Sequence, residues 1–184
     1  MNNTDSQLTF QICSYLLNYP DQEFMDSLPE VLEEIGSIQS SETKQELQKY
    51  CEKAKKQSLS KLVTTYINTF DFGKKTNLYL TYMSNGEQRE RGMELLFLKN
   101  FYKLHGFDVT DKELPDYLPI MLEFAGQVDE AAMKTIFERY LSNIEEVSKN
   151  LDSGKNLYGH IIKAILLELG KAGITNTRQR SEAL

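Results

Sequence analysis

The first 43 residues contain no Lys or Arg, while eight acids stand among them: Asp5, Asp21, Glu23, Asp26, Glu30, Glu33, Glu34 and Glu42. A secretory signal opens on basic residues, and a twin-arginine signal needs its arginine pair, so no export signal is expected and the location expected is cytoplasmic. No apolar run approaches the roughly 20 residues of a membrane span. Tryptophan is absent, and 184 residues hold only 4 prolines and 10 glycines. That is too few turn-formers for a sandwich or barrel, whose short strands need a turn every 8–12 residues or so. The 2 cysteines, Cys13 and Cys51, form no CxxC pair and are expected to be buried free thiols. A net charge of −6 argues against nucleic-acid binding, which depends on Lys and Arg neutralising phosphates.

What is present is helical periodicity. Leu8, Ile12, Tyr15, Leu16 and Tyr19 step by threes and fours up to Pro20. Phe24, Leu28, Val31, Leu32 and Ile35 continue the pattern, with Pro29 expected to split it. Residues 41–57 are polar except for a narrow stripe of Leu47, Tyr50, Cys51 and Ala54. Ser60 is a candidate cap for a helix bearing Leu62, Val63, Tyr66, Ile67 and Phe70. Residues 71–76 break the pattern, residues 77–84 read as a short helix, and Asn85-Gly86 as a turn. Residues 87–105 are apolar around most of a helix, which predicts a central helix capped by Gly106. The longest irregular stretch, about 106–119, reads as a Pro-containing hinge between two lobes. Met133, Phe137, Tyr140, Ile144, Val147 and Leu151 form a bundle seam, and Tyr158 to Leu169 a last helix ended by Gly170 and Gly173. The expected fold is an all-α, single-domain helical bundle over residues 1–170, with a tail from 171 to 184.

The sequence carries few signals of catalytic chemistry. His105 and His160 lie in no metal-chelating spacing, and no nucleophile elbow, P-loop or dinucleotide fingerprint occurs. Asp71-Phe72-Gly73 spells the kinase magnesium motif without any other kinase element. Adjacent carboxylates such as Glu33/Glu34 diverge on a helix and mark solvated faces. The remaining signal is a surface one. Nine acids against four bases over residues 111–150, and Tyr66, Tyr79 and Tyr82 around Asp71, fit a groove for a basic amphipathic helix. The same tyrosines at helical spacing also fit plain core packing.

The run from Tyr66 to Tyr82, YINTFDFGKKTNLYLTY, tips that balance. Together with Arg91-Gly92-Met93 and with ELPDYLPIMLEF from Glu113 to Phe124, it resembles the NarJ family of nitrate reductase assembly chaperones. That family is part of the wider TorD/DmsD group of redox-enzyme maturation chaperones. The resemblance spans about residues 8–170. It implies an all-helical chaperone that binds the N-terminal segment of the apo nitrate reductase catalytic (α) subunit. The chaperone would keep that subunit open for molybdenum cofactor insertion before membrane docking. The wider group's acidic-Pro-x-Asp-His signature is matched here by Pro115, Asp116 and Leu118, with Tyr117 where the histidine stands.

Resemblance and residue chemistry together nominate a client-peptide site. Tyr66, Phe70, Tyr79, Tyr82, Leu118 and Leu122 are its expected apolar contacts, with Pro115 and Tyr117 beside them; Asp71, Asp116 and Glu123 are its acidic rim. An N-cap role for Asp116, just ahead of an apolar helix, stays open. No catalytic residue, metal or cofactor is assigned. Two alternatives also stay open, a guanine-nucleotide-dependent maturation enzyme and a structural subunit of the reductase complex.

Overall fold

A computed structural model of the chain describes residues 3–73, 75–82, 88–110, 112–151 and 154–175. Eight α-helices account for most of them: α1 (Asn3–Leu16), α2 (Gln22–Ser37), α3 (Ser41–Lys55), α4 (Leu59–Tyr66), α5 (Gln88–Leu104), α6 (Leu118–Ala125), α7 (Glu130–Asn150) and α8 (Tyr158–Lys171). A π turn, Ile67–Asp71, prolongs α4, and Leu80–Tyr82 form a 3₁₀ turn. No strand occurs among the described residues beyond one isolated antiparallel bridge between Tyr79 and Tyr117.

Local chemistry starts these helices. Asp21, Ser40, Ser58 and Asp129 each accept a hydrogen bond from the backbone N–H three residues on, which satisfies a donor the helix cannot. Ser58 therefore caps α4, not Ser60, because Ser58 has the extended backbone a cap requires. Gly106 closes α5 at φ +86°, with the Phe107 and Gly106 N–H groups returning to the Tyr102 and Lys103 carbonyls.

One core joins the helices. α8 lies against α3, α1 and α7, and α1 also lies against α6, so the helices before and after the 106–119 loop interleave. Ile161, Ile162, Ile165 and Leu169 of α8 are fully buried, as are Leu47, Tyr50, Cys51 and Ala54 of α3. Both thiols are buried and unpaired; burial pushes Cys13 up strongly and Cys51 to about 12, so neither is a reactive nucleophile. The expected seam of α7 is buried along its length.

The structure departs from the sequence pattern at four further points. α2 runs unbroken through Pro29, which sits on the exposed side while Phe24, Leu28, Val31 and Ile35 bury a continuous stripe. α5 is peripheral, not central: Leu98 and Tyr102 face inward, but Met93, Leu96 and Leu104 are 66%, 59% and 83% exposed. Residues 77–82 hold only the 3₁₀ turn, since Leu78 and Leu80 spend their backbone bonds on residues 118 and 116. The chain remains packed past residue 171, with Ala172 and Ile174 buried and Gly173 at φ +79°. Asn85-Gly86 and residues 176–184 lie outside the described residues.

Candidate functional site

The irregular segments 67–82 and 113–117 meet on one side of the bundle. The π turn returns the Phe72 N–H to the Ile67 carbonyl and aims the chain away from the axis of α4. The reversal then needs Gly73, where a Cβ would overlap the Thr69 carbonyl and the Thr76 hydroxyl. The Thr76 hydroxyl donates to that carbonyl, and Asn156, just before α8, donates to the Thr69 hydroxyl at 2.7 Å. Farther on, the Leu80 N–H reaches the Asp116 carbonyl at 3.0 Å and the Leu118 N–H the Leu78 carbonyl at 2.8 Å.

This ladder holds a cleft of about 210 Å³ lined by Tyr19, Tyr66, Phe70, Asp71, Asn77, Leu78, Tyr79, Glu113 and Tyr117. Tyr66 is its hub. Its hydroxyl donates to the Leu17 carbonyl at 3.1 Å and lies 3.1 Å from the Tyr117 hydroxyl. Its ring meets Tyr19, Phe70 and Tyr158 edge-on at 5.4, 5.0 and 5.7 Å. Tyr79 and Tyr117 pack together at 5.0 Å, and the Tyr79 hydroxyl donates to Glu113. Burial raises the phenols of Tyr66, Tyr79 and Tyr117, and for Tyr79 the Glu113 carboxylate adds to it. The cleft thus offers aromatic faces and neutral hydroxyls, with carboxylates at Asp71 and Glu113. Among the described residues no group of His, Cys, Asp and Glu could hold a metal ion. The arrangement can bind, and it contains no paired nucleophile and base.

The expected site residues separate into three sets. Tyr66, Phe70, Asp71, Tyr79 and Tyr117 converge on the cleft. Pro115, Asp116, Leu118 and Leu122 lie behind it, buried, with Asp116, Leu118 and Leu122 wholly so. Tyr82 and Glu123 are exposed but elsewhere: Tyr82 under the Arg91 guanidinium at 5.6 Å, Glu123 in a separate hollow beside α6.

Asp116 is an internal anchor. One carboxylate oxygen accepts from the Thr81 N–H at 3.1 Å and the Thr81 hydroxyl at 2.7 Å, with Arg91 Nη2 at 3.9 Å. It does not cap α6, whose N-cap position is Tyr117. Tyr19, Asn77, Leu78 and Glu113 join the cleft unannounced. Tyr19 belongs to the periodic stripe of α1 but falls beyond the helix end, 53% exposed, with its ring against Tyr66.

The sequence profile of the nitrate reductase delta subunit family matches residues 38–153. This chain belongs to that family. It is 45% identical over 174 residues to the probable nitrate reductase molybdenum cofactor assembly chaperone NarJ of Bacillus subtilis, covering 95% of each chain. It is 26% identical over 169 residues to the nitrate reductase molybdenum cofactor assembly chaperone NarJ of Escherichia coli K12, covering 91% of this chain and 71% of that one. A crystal structure of a redox enzyme maturation protein from Archaeoglobus fulgidus superposes with a TM-score of 0.64 at 19% identity, over 89% of this chain and 93% of the other. That likeness establishes a shared fold. The family profile contains the whole tyrosine cleft except Tyr19.

Proposed function

We propose that this protein is an assembly chaperone of a nitrate reductase. It holds the N-terminal segment of the apo catalytic subunit while the molybdenum cofactor is inserted, in the cytoplasm and before the complex docks on the membrane. The observation that carries the reading is the convergence of Tyr66, Phe70, Asp71, Tyr79 and Tyr117 on one cleft in a chain so similar to a named assembly chaperone. Aromatic walls and a carboxylate rim complement a segment that is apolar on one side and cationic on the other. No bond is made or broken. The work is differential binding, because a chaperone must hold the immature client more tightly than the matured one, and equal affinity would shift nothing.

The test is calorimetry of the whole protein against roughly the first 15–20 residues of the cognate catalytic subunit, a length that gives several helical turns. Binding is expected, weakening partly as salt rises and the Debye length falls from about 10 Å at 0.1 M to about 3 Å at 1 M. No binding at any salt concentration overturns the reading. In pull-downs, recovery of apo subunit should exceed recovery of the assembled, cofactor-loaded enzyme.

A further inference from the structure

α6 borders a second hollow at its other end. About 230 Å³ opens between the end of α5, the segment 107–110 and α6; Ile120 and Phe124 line it, and Asp108 and Glu123 stand at its edge. Phe124 is its aromatic floor, packed by Tyr102 at 4.7 Å and Phe107 at 5.4 Å. Tyr117, the N-cap of α6, lines the tyrosine cleft, and Phe124 lines this hollow. At 100° per residue Tyr117, Ile120 and Phe124 fall within about 60° of one another, on one face of α6. Seven residues at 1.5 Å each set Tyr117 and Phe124 about 10 Å apart along that face.

Size and charge define the occupant. Both hollows are smaller than the roughly 300 Å³ at which small-molecule sites begin, and each accepts one large side chain. Each also carries two carboxylates, Asp71 with Glu113 and Asp108 with Glu123, none of them in an ion pair among the described residues.

We infer that one amphipathic helix lies along α6 and fills both hollows, with apolar side chains at positions i and i+7 and a Lys or Arg beside each. This rests on the client-binding reading above and specifies what the client must present. Positions i and i+7 are two turns and about 10 Å apart, which matches the spacing of Tyr117 and Phe124 on α6; i and i+4 span about 6 Å, and i and i+11 about 16 Å. An acidic helix of the same pattern meets four carboxylates and is repelled.

A peptide series on one helix-forming scaffold tests this, with anchors at i and i+4, i and i+7, or i and i+11 and flanking lysines, titrated into the full chain. The i, i+7 peptide should bind at least about tenfold more tightly than the others, the scale of one lost interface anchor. Glu123→Lys, an exposed change, should weaken that peptide by a similar factor. Melting temperatures verify that the variant is folded. Equal affinity across the spacings, or no effect of Glu123→Lys, overturns the inference. If the catalytic-subunit peptide binds while spacing is irrelevant, the chaperone reading stands and this inference falls; if neither that peptide nor the series binds, both fall.

Discussion

Removing the Asp116 carboxylate should unfasten the wall of the tyrosine cleft. Asp116→Ala deletes the acceptor of two bonds from Thr81, at 3.1 and 2.7 Å, in a site with no access to water. Bonds to an ionised group contribute about 1.5–3 kcal/mol each, so the gross loss is about 3–6 kcal/mol. One term offsets it, and a further cost is avoided. The other carboxylate oxygen is buried without a partner, and its removal regains about 1–3 kcal/mol. Arg91 is partly exposed and can turn to solvent, so no charge is stranded. The expected net loss is about 2–3 kcal/mol, read as a lower urea midpoint at unchanged slope. Asp116→Asn keeps the shape and a neutral acceptor and should lose only about 1–2 kcal/mol. Because the carboxylate lies behind the cleft, the Asn variant should bind client peptide as the wild type does. An Ala variant within about 0.5 kcal/mol of wild type would refute the anchor. An Asn variant that folds normally but loses the peptide would make Asp116 a client contact instead.

Leu98→Ala, on the buried stripe of α5, should cost about 2–5 kcal/mol, whereas Leu104→Ala, 83% exposed, should stay within about 0.5 kcal/mol; equal effects in urea unfolding would mean α5 is packed all round. Gly73→Ala should lower stability by about 1–3 kcal/mol through overlap with the Thr69 carbonyl, and a neutral melting temperature would show the turn relaxes freely. Burial alone would raise the Glu46 carboxyl, but hydrogen bonds from His160, Lys49 and Lys163 bring it from 4.5 down to about 2. A lowered folded-state value adds stability that is complete above about pH 4.5 and is lost as pH falls through about 2. Glu46→Gln should flatten that part of the acid-unfolding curve by on the order of 2 kcal/mol, discounted because Lys49 and Lys163 are half exposed. An unchanged acid limb would show that Glu46 does not join α3 to α8 electrostatically.

Sequence alone determined the helical class, the seams of α3, α7 and α8, and the break at Gly73, because each is written in neighbouring residues. Apolar side chains three and four apart make a stripe on any helix, and Gly106 ends α5 by its own φ. The cleft was half legible for the same reason: Tyr66, Phe70, Asp71 and Tyr79 sit in one short run. Which way a stripe faces is a different matter. Leu98 and Leu104 are equally apolar, yet one is buried and the other bare, since only the placement of neighbouring elements covers a face of α5. Asp116 reads as a surface acid or a cap until Thr81, 35 residues back in the chain, supplies its donors. Tyr19 enters the cleft only because α1 ends beside α4. These are non-local pairings, set by how helices that share one core exclude water from it together, and no window of sequence contains both partners.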